Sequence, residues 1–224
     1  MDSNSKKIGI GMTSARTRQR LIDRLIKQGI INKRVLDVIE KVPRHSFVDE
    51  ALSSRAYEDT ALPIGFGQTI SQPYIVALMT ELLVSLLPES GKFNRLLEIG
   101  TGCGYQAAIL SSFANEVFSI ERIKPLFHKS RQNLLKAGIK NVSLRLADGN
   151  LGWNNKSPFQ GIIVAAAPLK IPKDLLMQLD DGGRIIAPIG DEKDQVLVCI
   201  SRKGNNFDSE SICPVKFVPL IQEI

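Results

Sequence analysis

The stretch Leu96-Leu97-Glu98-Ile99-Gly100-Thr101-Gly102-Cys103-Gly104-Tyr105 decides how the rest of the chain is read. An apolar run, three glycines at alternate positions and a helix-forming run together describe a strand that turns tightly into a helix. Such a loop brings backbone close to a ligand, where the unpaired N–H groups of the helix start gather. Glycine loops also serve merely to turn, so the companions of this one matter. Glu121 follows 21 positions after Gly100 (121 − 100), at the end of the next apolar run, where a carboxylate can accept both hydroxyls of a ribose. Asp148 closes the third run, near the place expected for an adenine. With Glu98, this puts a carboxylate at the ends of three successive strands.

Working outward, strand-like runs are predicted at residues 96–99, 117–120, 142–146, 162–165, 184–187 and 196–200. Helical stretches are predicted at 105–113, at 125–137 with Gly138 as its stop, and at 169–179, with room for a crossover after Asp148. This alternation predicts an α/β fold: a doubly wound, mostly parallel sheet with helices on both faces. Only Gly190-Asp191-Glu192-Lys193-Asp194 separate Ile189 from Gln195, and a parallel crossover needs about a dozen residues or more. The fifth and sixth strands should therefore pair antiparallel. Gly204-Asn205-Asn206 then turns the chain into a last stretch, 210–220.

Upstream the pattern is different. Leu21, Ile22, Leu25 and Ile26, then Val35, Leu36 and Ile39, recur at helical spacing, with Gly29 between the runs and Pro43 after the second. A third short helix is expected around 49–55, followed by an irregular, shaped loop at 62–70. Ser71 and Pro73 form a helix-start signal, with Ser71 as the candidate N-cap, before an apolar ladder from Val76 to Leu86 that Pro88 stops. The expected organisation is an N-terminal helical extension, residues 1–72, packed on an α/β domain, residues 73–224, as one structural unit.

Composition narrows the class. The 224 residues are 43% hydrophobic and 23% charged, which fits a globular chain and excludes wholesale disorder. A net charge of +6 is spread along the chain, so it reads as a solvated surface rather than a nucleic-acid footprint. No apolar run approaches the ~18 residues of a membrane span, and residues 1–7 lack the apolar core of a secretory signal. Cys103, Cys199 and Cys213 are widely spaced, and two histidines, His45 and His128, are too few for a histidine-rich metal site. The expectation is a cytoplasmic protein with no metal and no membrane partner.

The nucleotide can be narrowed further. A dinucleotide fingerprint places its third glycine where Tyr105 stands, whereas here that glycine is Gly104. Glu98 just before the loop would repel a pyrophosphate but suits a cation. S-adenosylmethionine, a sulfonium with an amino-acid tail and no phosphate, fits better than NAD. As for the methyl acceptor, Val164-Ala165-Ala166-Ala167-Pro168 lacks the polar groups that nucleobase amino methylation uses. Cys213 is too far downstream to be a cytosine nucleophile. No histidine lies near the motifs to act as a base. A carboxylate acceptor, ionised at pH 7, needs none.

Leu62-Pro63-Ile64-Gly65, Gly67-Gln68-Thr69-Ile70-Ser71-Gln72-Pro73-Tyr74, the glycine loop through Gln106-Ala107-Ala108, Asp148-Gly149, Gly152-Trp153 and Phe217-Val218-Pro219-Leu220 together resemble the protein-L-isoaspartate O-methyltransferase family. The resemblance runs from about Thr13 to Leu220. The Gln-Thr-Ile-Ser-Gln-Pro segment is particular to that family, whereas the glycine loop marks only the broader class of S-adenosylmethionine-dependent methyltransferases.

The resemblance implies methylation of the α-carboxylate of L-isoaspartyl residues in damaged proteins and peptides. The ester then cyclises unaided to a succinimide, whose hydrolysis restores some normal aspartate. It further implies that Ser71 orients the substrate carboxylate and that Val218 and Pro219 meet substrate backbone. Thr69, Ile70, Gln72, Glu98, Gly100, Gly102, Gly104, Glu121, Arg122, Asp148 and Gly149 are the residues expected around the cofactor. Phe66 departs from the family's frequent His, and Asn150-Leu151 from a common Trp-Gln pair, which bears on substrate range. The rivals are a nucleic-acid methyltransferase and a non-catalytic protein binding a partner through its basic surface. The missing Pro-Pro-aromatic motif and the complete acidic set weigh against them. A monomer acting on isoaspartyl proteins, without nucleic acid, is expected.

Overall fold

The computed structural model describes residues 11–87 and 91–221; residues 1–7 and Pro88, used in the sequence reading, lie outside them. The chain forms two compact units, Met1–Glu81 and Leu82–Ile224.

In the first unit, helices α1 (Ala15–Lys27) and α2 (Lys33–Lys41) bury the stripes Leu21, Ile22, Leu25 and Val35, Leu36, Ile39. Ser14 and Asn32 cap them by accepting the N–H groups of Thr17 and Val35. Gly29, at φ +100°, ends α1: its N–H reaches Ile26 O, and the N–H of buried Ile30 reaches Leu25 O. The third helix expected at 49–55 is a 3₁₀ turn, Glu50–Arg55, preceded by another at Arg44–Phe47; Glu50–Arg55 buries no residue fully, so no apolar stripe sustains an α-helix.

The stretch expected to be an irregular loop is instead a hairpin. Strands β1 (Leu62–Gly65) and β2 (Gln68–Ile70) pair antiparallel, with Leu62 opposite Ile70 and Pro63 opposite Thr69. Gly65, Phe66 and Gly67 all take positive φ and reverse the chain. Leu62, Ile64 and Ile70 point inward, and Pro63 is tolerated because a two-stranded ribbon has free edges. The Gly and Pro residues that mimic a loop are thus the turn and edge of a ribbon.

Helix α3 (Pro73–Val84) begins where the signal predicted, but Ser71 is not its cap. Gln72 O accepts the first helical bond from Val76 N, and the Tyr74 N–H goes to Asp59 Oδ1 at 3.0 Å.

The second unit is a seven-stranded sheet. Its strands are β3 (Phe93–Ile99), β4 (Ala114–Glu121), β5 (Val142–Leu146), β6 (Phe159–Val164), β7 (Leu179–Gly190), β8 (Gln195–Lys203) and β9 (Asn206–Val215). Their order is β5-β4-β3-β6-β7-β8-β9, parallel through β7 and antiparallel thereafter. The short connection, residues 191–194 in the structure, therefore produces the antiparallel pair it predicted. Helices α4 (Tyr105–Leu110), α5 (Lys124–Lys136) and α6 (Lys173–Gln178) join the parallel strands. The predicted helix 169–179 is shortened to α6 because Pro172 caps it and disfavours helix at the residue before. Leu179 already belongs to β7, whose polar Asp180-Asp181-Gly182-Gly183 start gave no strand signal.

One face of the sheet buries Leu97, Ile99, Phe118, Ile120, Ile162, Val164, Ile185 and Ala187, at alternate positions of neighbouring strands. Trp153, partly buried, packs on this cluster, edge-on to Phe118 at 5.3 Å between ring centroids. Among the described residues no helix is long and apolar enough to cross a membrane.

Candidate active site

The chain runs outward from β3 through β4 to β5, then returns to place β6 on the other flank of β3. This reversal opens a crevice at the carboxyl ends of β3 and β6, the usual ligand position in such sheets. The glycine loop leaves β3 here. Gly100, Gly102 and Gly104 have φ of +89°, +55° and +90°, a left-handed path costly for any other residue. A methyl on Gly100 would lie 3.6 Å from Ala165, just past β6, while one on Gly104 would press on Leu134 at 3.3 Å. The loop is thus held close to both neighbours.

The acidic residues divide their roles. Glu121, at the end of β4, accepts the Gly102 N–H at Oε2 and the Ile123 N–H at Oε1, both at 2.8 Å. Burial raises its pKa, opposed by these N–H groups and by the N–H and charge of Arg122. A phosphate-binding loop would keep the Gly102 N–H for its ligand; here it is already committed to a carboxylate. The remaining lone pairs of Glu121 can still accept ligand hydroxyls.

Glu98 lies inside the protein, one residue before the end of β3. Its Oε2 accepts the Ser119 hydroxyl, and Ser119 Oγ is 2.5 Å from Thr101 Oγ1, so a buried chain of hydroxyls ties the glycine loop to the carboxylate. Burial pushes the Glu98 pKa up to about 8; Ser119 opposes this, the Glu121 charge adds to it, and the Ala107 N–H in the first turn of α4 lowers it. Among the described residues Oε1 has no hydrogen-bond partner. A buried carboxylate with an open acceptor calls for a cationic or N–H-bearing ligand.

Asp148 stands two residues beyond the end of β5. Its Oδ1 accepts both the N–H and the side-chain amide of Asn150 at 2.8 Å, shaping a 3₁₀ turn, Gly149–Leu151. Asn150 also reaches Ile221 O at 3.5 Å, which helps to join this turn to the tail. The tail runs alongside the end of β6: Ala167 N donates to Val218 O and Leu220 N to Ala167 O, both at 2.8 Å. Gln195 holds it from the other side, its amide bonding Phe217 O and N at 3.1 and 2.6 Å. The second unit therefore gathers Glu98, Gly100, Gly102, Gly104, Glu121, Arg122, Asp148, Gly149, Val218 and Pro219 at the carboxyl ends of its strands.

Thr69, Ile70, Ser71 and Gln72 stand together in the first unit, where β2 runs into α3. The Ser71 carbonyl accepts Arg44 Nη2 at 2.7 Å, and Arg44, fully buried, also donates from Nε to Ala56 O at 2.8 Å. Sequence reasoning missed Arg44 and Asp59, because their partners lie 12 to 27 and 15 residues away in the chain. It also missed Ser119, which did carry a signal: a hydroxyl inside the apolar run Val117-Phe118-Ser119-Ile120. S-adenosylmethionine fits this donor set, which offers carboxylates and hydroxyls and no spare loop N–H at Gly102 for phosphate. Among the described residues no cluster of three or more His, Cys, Asp or Glu could hold a metal ion.

Comparison with known proteins agrees with this reading. A protein-L-isoaspartate O-methyltransferase 1 of Marinobacter nauticus is 58% identical over 213 residues, covering 95% of each chain. A protein-L-isoaspartate O-methyltransferase of Alcanivorax borkumensis is 53% identical, covering 94% of each. A solved protein-L-isoaspartate O-methyltransferase superposes with a TM-score of 0.81 at 29% identity, over 90% of this chain and 65% of that one. A Plasmodium falciparum protein described in the same terms, solved with S-adenosyl-L-homocysteine, gives 0.79 at 26% identity over 92% and 99%. Residues 16–224 match the family described as protein-L-isoaspartate(D-aspartate) O-methyltransferase, and the chain belongs to that family.

Proposed function

We infer that this chain transfers a methyl group from S-adenosyl-L-methionine to the free α-carboxylate of L-isoaspartyl residues in damaged proteins and peptides. The observation that carries the cofactor reading is the commitment of the Gly102 N–H to Glu121, which leaves the loop suited to a cation rather than a pyrophosphate. When bound, the cofactor supplies an electrophilic methyl group on a positively charged sulfur. Glu121 would accept its ribose hydroxyls, Glu98 would serve its amino-acid tail, and Asp148 and Gly149 would border its adenine. Gly100, Gly102 and Gly104 would allow close approach beside Arg122, and the Thr69-Ile70-Gln72 backbone would contribute contacts to the cofactor from the first unit.

The acceptor carboxylate has a pKa near ~4 and is already a nucleophile at pH 7. The protein therefore has to align and shield it, and no side chain need remove a proton. Ser71 holds the carboxylate by donating its hydroxyl hydrogen, and the Val218-Pro219 segment meets the backbone of the substrate. The ester cyclises to a succinimide after release, and its hydrolysis returns part of the material to normal aspartate. On the same reading the enzyme works as a monomer in the cytoplasm, without nucleic-acid or membrane partners.

A methyl-transfer assay on an isoaspartyl peptide and its normal-aspartyl twin tests the proposal. Methylation of the first alone is expected; methylation of DNA or RNA and of neither peptide overturns it.

A further inference from the structure

We propose that Arg44 and Asp59 form a two-point clamp that positions Ser71 for methyl transfer, a role that rests on the reading of Ser71 as the residue orienting the substrate carboxylate. Ser71 occupies the single junction between the hairpin and α3, and the backbone is fixed on each side of it by a different device. Before it, Ile70 pairs with Leu62. At Ser71 itself, the carbonyl takes Arg44 Nη2 at 2.7 Å. Three residues on, Tyr74 N is held by Asp59 Oδ1 at 3.0 Å, while Asp59 Oδ2 is steadied by Gln28 Nε2 at 2.7 Å.

The choice of residues goes beyond what folding needs. A helix start is usually capped by the nearest suitable hydroxyl, and Ser71 is two residues from Pro73. Here the cap comes from Asp59, so the Ser71 side chain is not committed to the helix. A fully buried arginine is costly to desolvate, and an apolar side chain would fill the same space. Its planar fork does what an apolar side chain cannot: it spans Ala56 O and Ser71 O at once and fixes their separation. Lysine, a point charge on a flexible stem, cannot hold both carbonyls in that geometry. Arg44 and Asp59 are positioning residues: they act through the Ser71 backbone and hold its hydroxyl where the carboxylate arrives.

The test combines steady-state kinetics on an isoaspartyl peptide with calorimetric titration of S-adenosyl-L-homocysteine on Arg44→Lys, Asp59→Ala, Asp59→Asn and Ser71→Ala. Misplacement by about 1 Å can cost ~10²-fold in rate, so Arg44→Lys and Asp59→Ala are each expected to lower kcat by roughly tenfold or more. Peptide KM and S-adenosyl-L-homocysteine affinity should stay within about twofold. Asp59→Asn keeps the Oδ1 acceptor, and Gln28 can turn its own amide to match, so it should recover most of the turnover lost in Asp59→Ala. Combined with Ser71→Ala, either clamp variant should add little further loss, since both act through the hydroxyl already removed.

Losses that multiply in the double variants, or lost turnover that tracks only the folded fraction, overturn the clamp. Full turnover in Ser71→Ala sinks the reading beneath it. A crippled Ser71→Ala beside fully active Arg44→Lys and Asp59→Ala leaves that reading standing and removes the clamp alone. Asp59 lies at a partly buried site and carries the same prediction, so the test survives if Arg44→Lys does not fold.

Discussion

Gly149 crosses over Ile99 so closely that a methyl group at position 149 would come within 2.4 Å of Ile99 Cγ2. Ile99 is buried at the end of β3 and β-branched, so it has little freedom to turn away. Gly149→Ala should destabilise the protein by about 1–3 kcal/mol through overpacking. It should also weaken cofactor binding, because the Asp148 turn rides on the same contact. Thermal melting and calorimetric titration check this; a variant as stable as the parent would show that the turn lifts freely from the sheet.

Glu121 holds the glycine loop, and on the proposed reading it serves the ligand as well. Glu121→Ala removes a charged acceptor for ribose hydroxyls and should cost about 1.5–3 kcal/mol of binding. That is roughly a 10- to 150-fold loss of affinity. It also strands the N–H groups of Gly102 and Ile123, so the melting temperature should fall too. Unchanged affinity in a folded variant would remove Glu121 from the site.

The raised pKa of Glu98 makes stability depend on pH in a definite direction. From its ordinary value of 4.5 up to about 8, the folded chain keeps a proton that the unfolded chain has released. Stability from this carboxyl is complete below about 4.5 and is lost as pH rises through 8. Glu121, also raised, adds in the same sense. Glu98→Gln, which cannot ionise, should therefore raise the melting temperature increasingly from pH 5 to pH 8.5. Binding of the cationic cofactor favours the ionised acid, so at pH 7 it should release protons. Calorimetry in buffers of different ionisation enthalpy measures that release, and its absence in the parent protein contradicts the assignment.

Since Asp59 caps α3, replacing the Ser71 hydroxyl should leave stability nearly unchanged. Ser71→Ala is expected to melt within a few degrees of the parent while losing most of its turnover. Ser71→Asp should be worse, because a fixed negative charge repels the incoming carboxylate. A fully active Ser71→Asp ends the catalytic assignment.

At saturating cofactor, single-turnover rates should show no ionisation near ~6.5, because the reaction needs no histidine base. His45 is occupied elsewhere, with Nδ1 2.7 Å from the Tyr57 hydroxyl. A step near that pH, abolished by replacing His45 or His128, would reveal a base.

The parts of the fold legible in sequence are those set by local chemistry. Leu96 to Gly104 announces a strand and a positive-φ turn, and the short link from Ile189 to Gln195 forces antiparallel pairing. The hairpin at Leu62–Ile70 was hidden because Pro63, Gly65 and Gly67 look the same in a loop as in a ribbon. In the site, Glu121 and Asp148 were visible by position after their strands. The burial of Glu98 against Ser119 and the grip of Arg44 on Ser71 were not, since each joins residues 21 or 27 positions apart whose meeting only the folded chain decides.

The segment from Phe217 to Leu220 is joined to the sheet differently from everything around it. Strands β8 and β9 pair along their whole length, with one irregularity between Leu197 and Val198, whereas this segment is secured by the bridge at Ala167 and the single amide of Gln195. Those few bonds can break as a group without disturbing a single rung of the ladder. This segment should accordingly exchange its amide hydrogens before the strands it borders. Phe217 and Leu220 should lose protection well before Ile163 or Val198, and Gln195→Ala should widen the gap. The laddered sheet and the loosely tied segment beside the end of β6 are then two separate cooperative units.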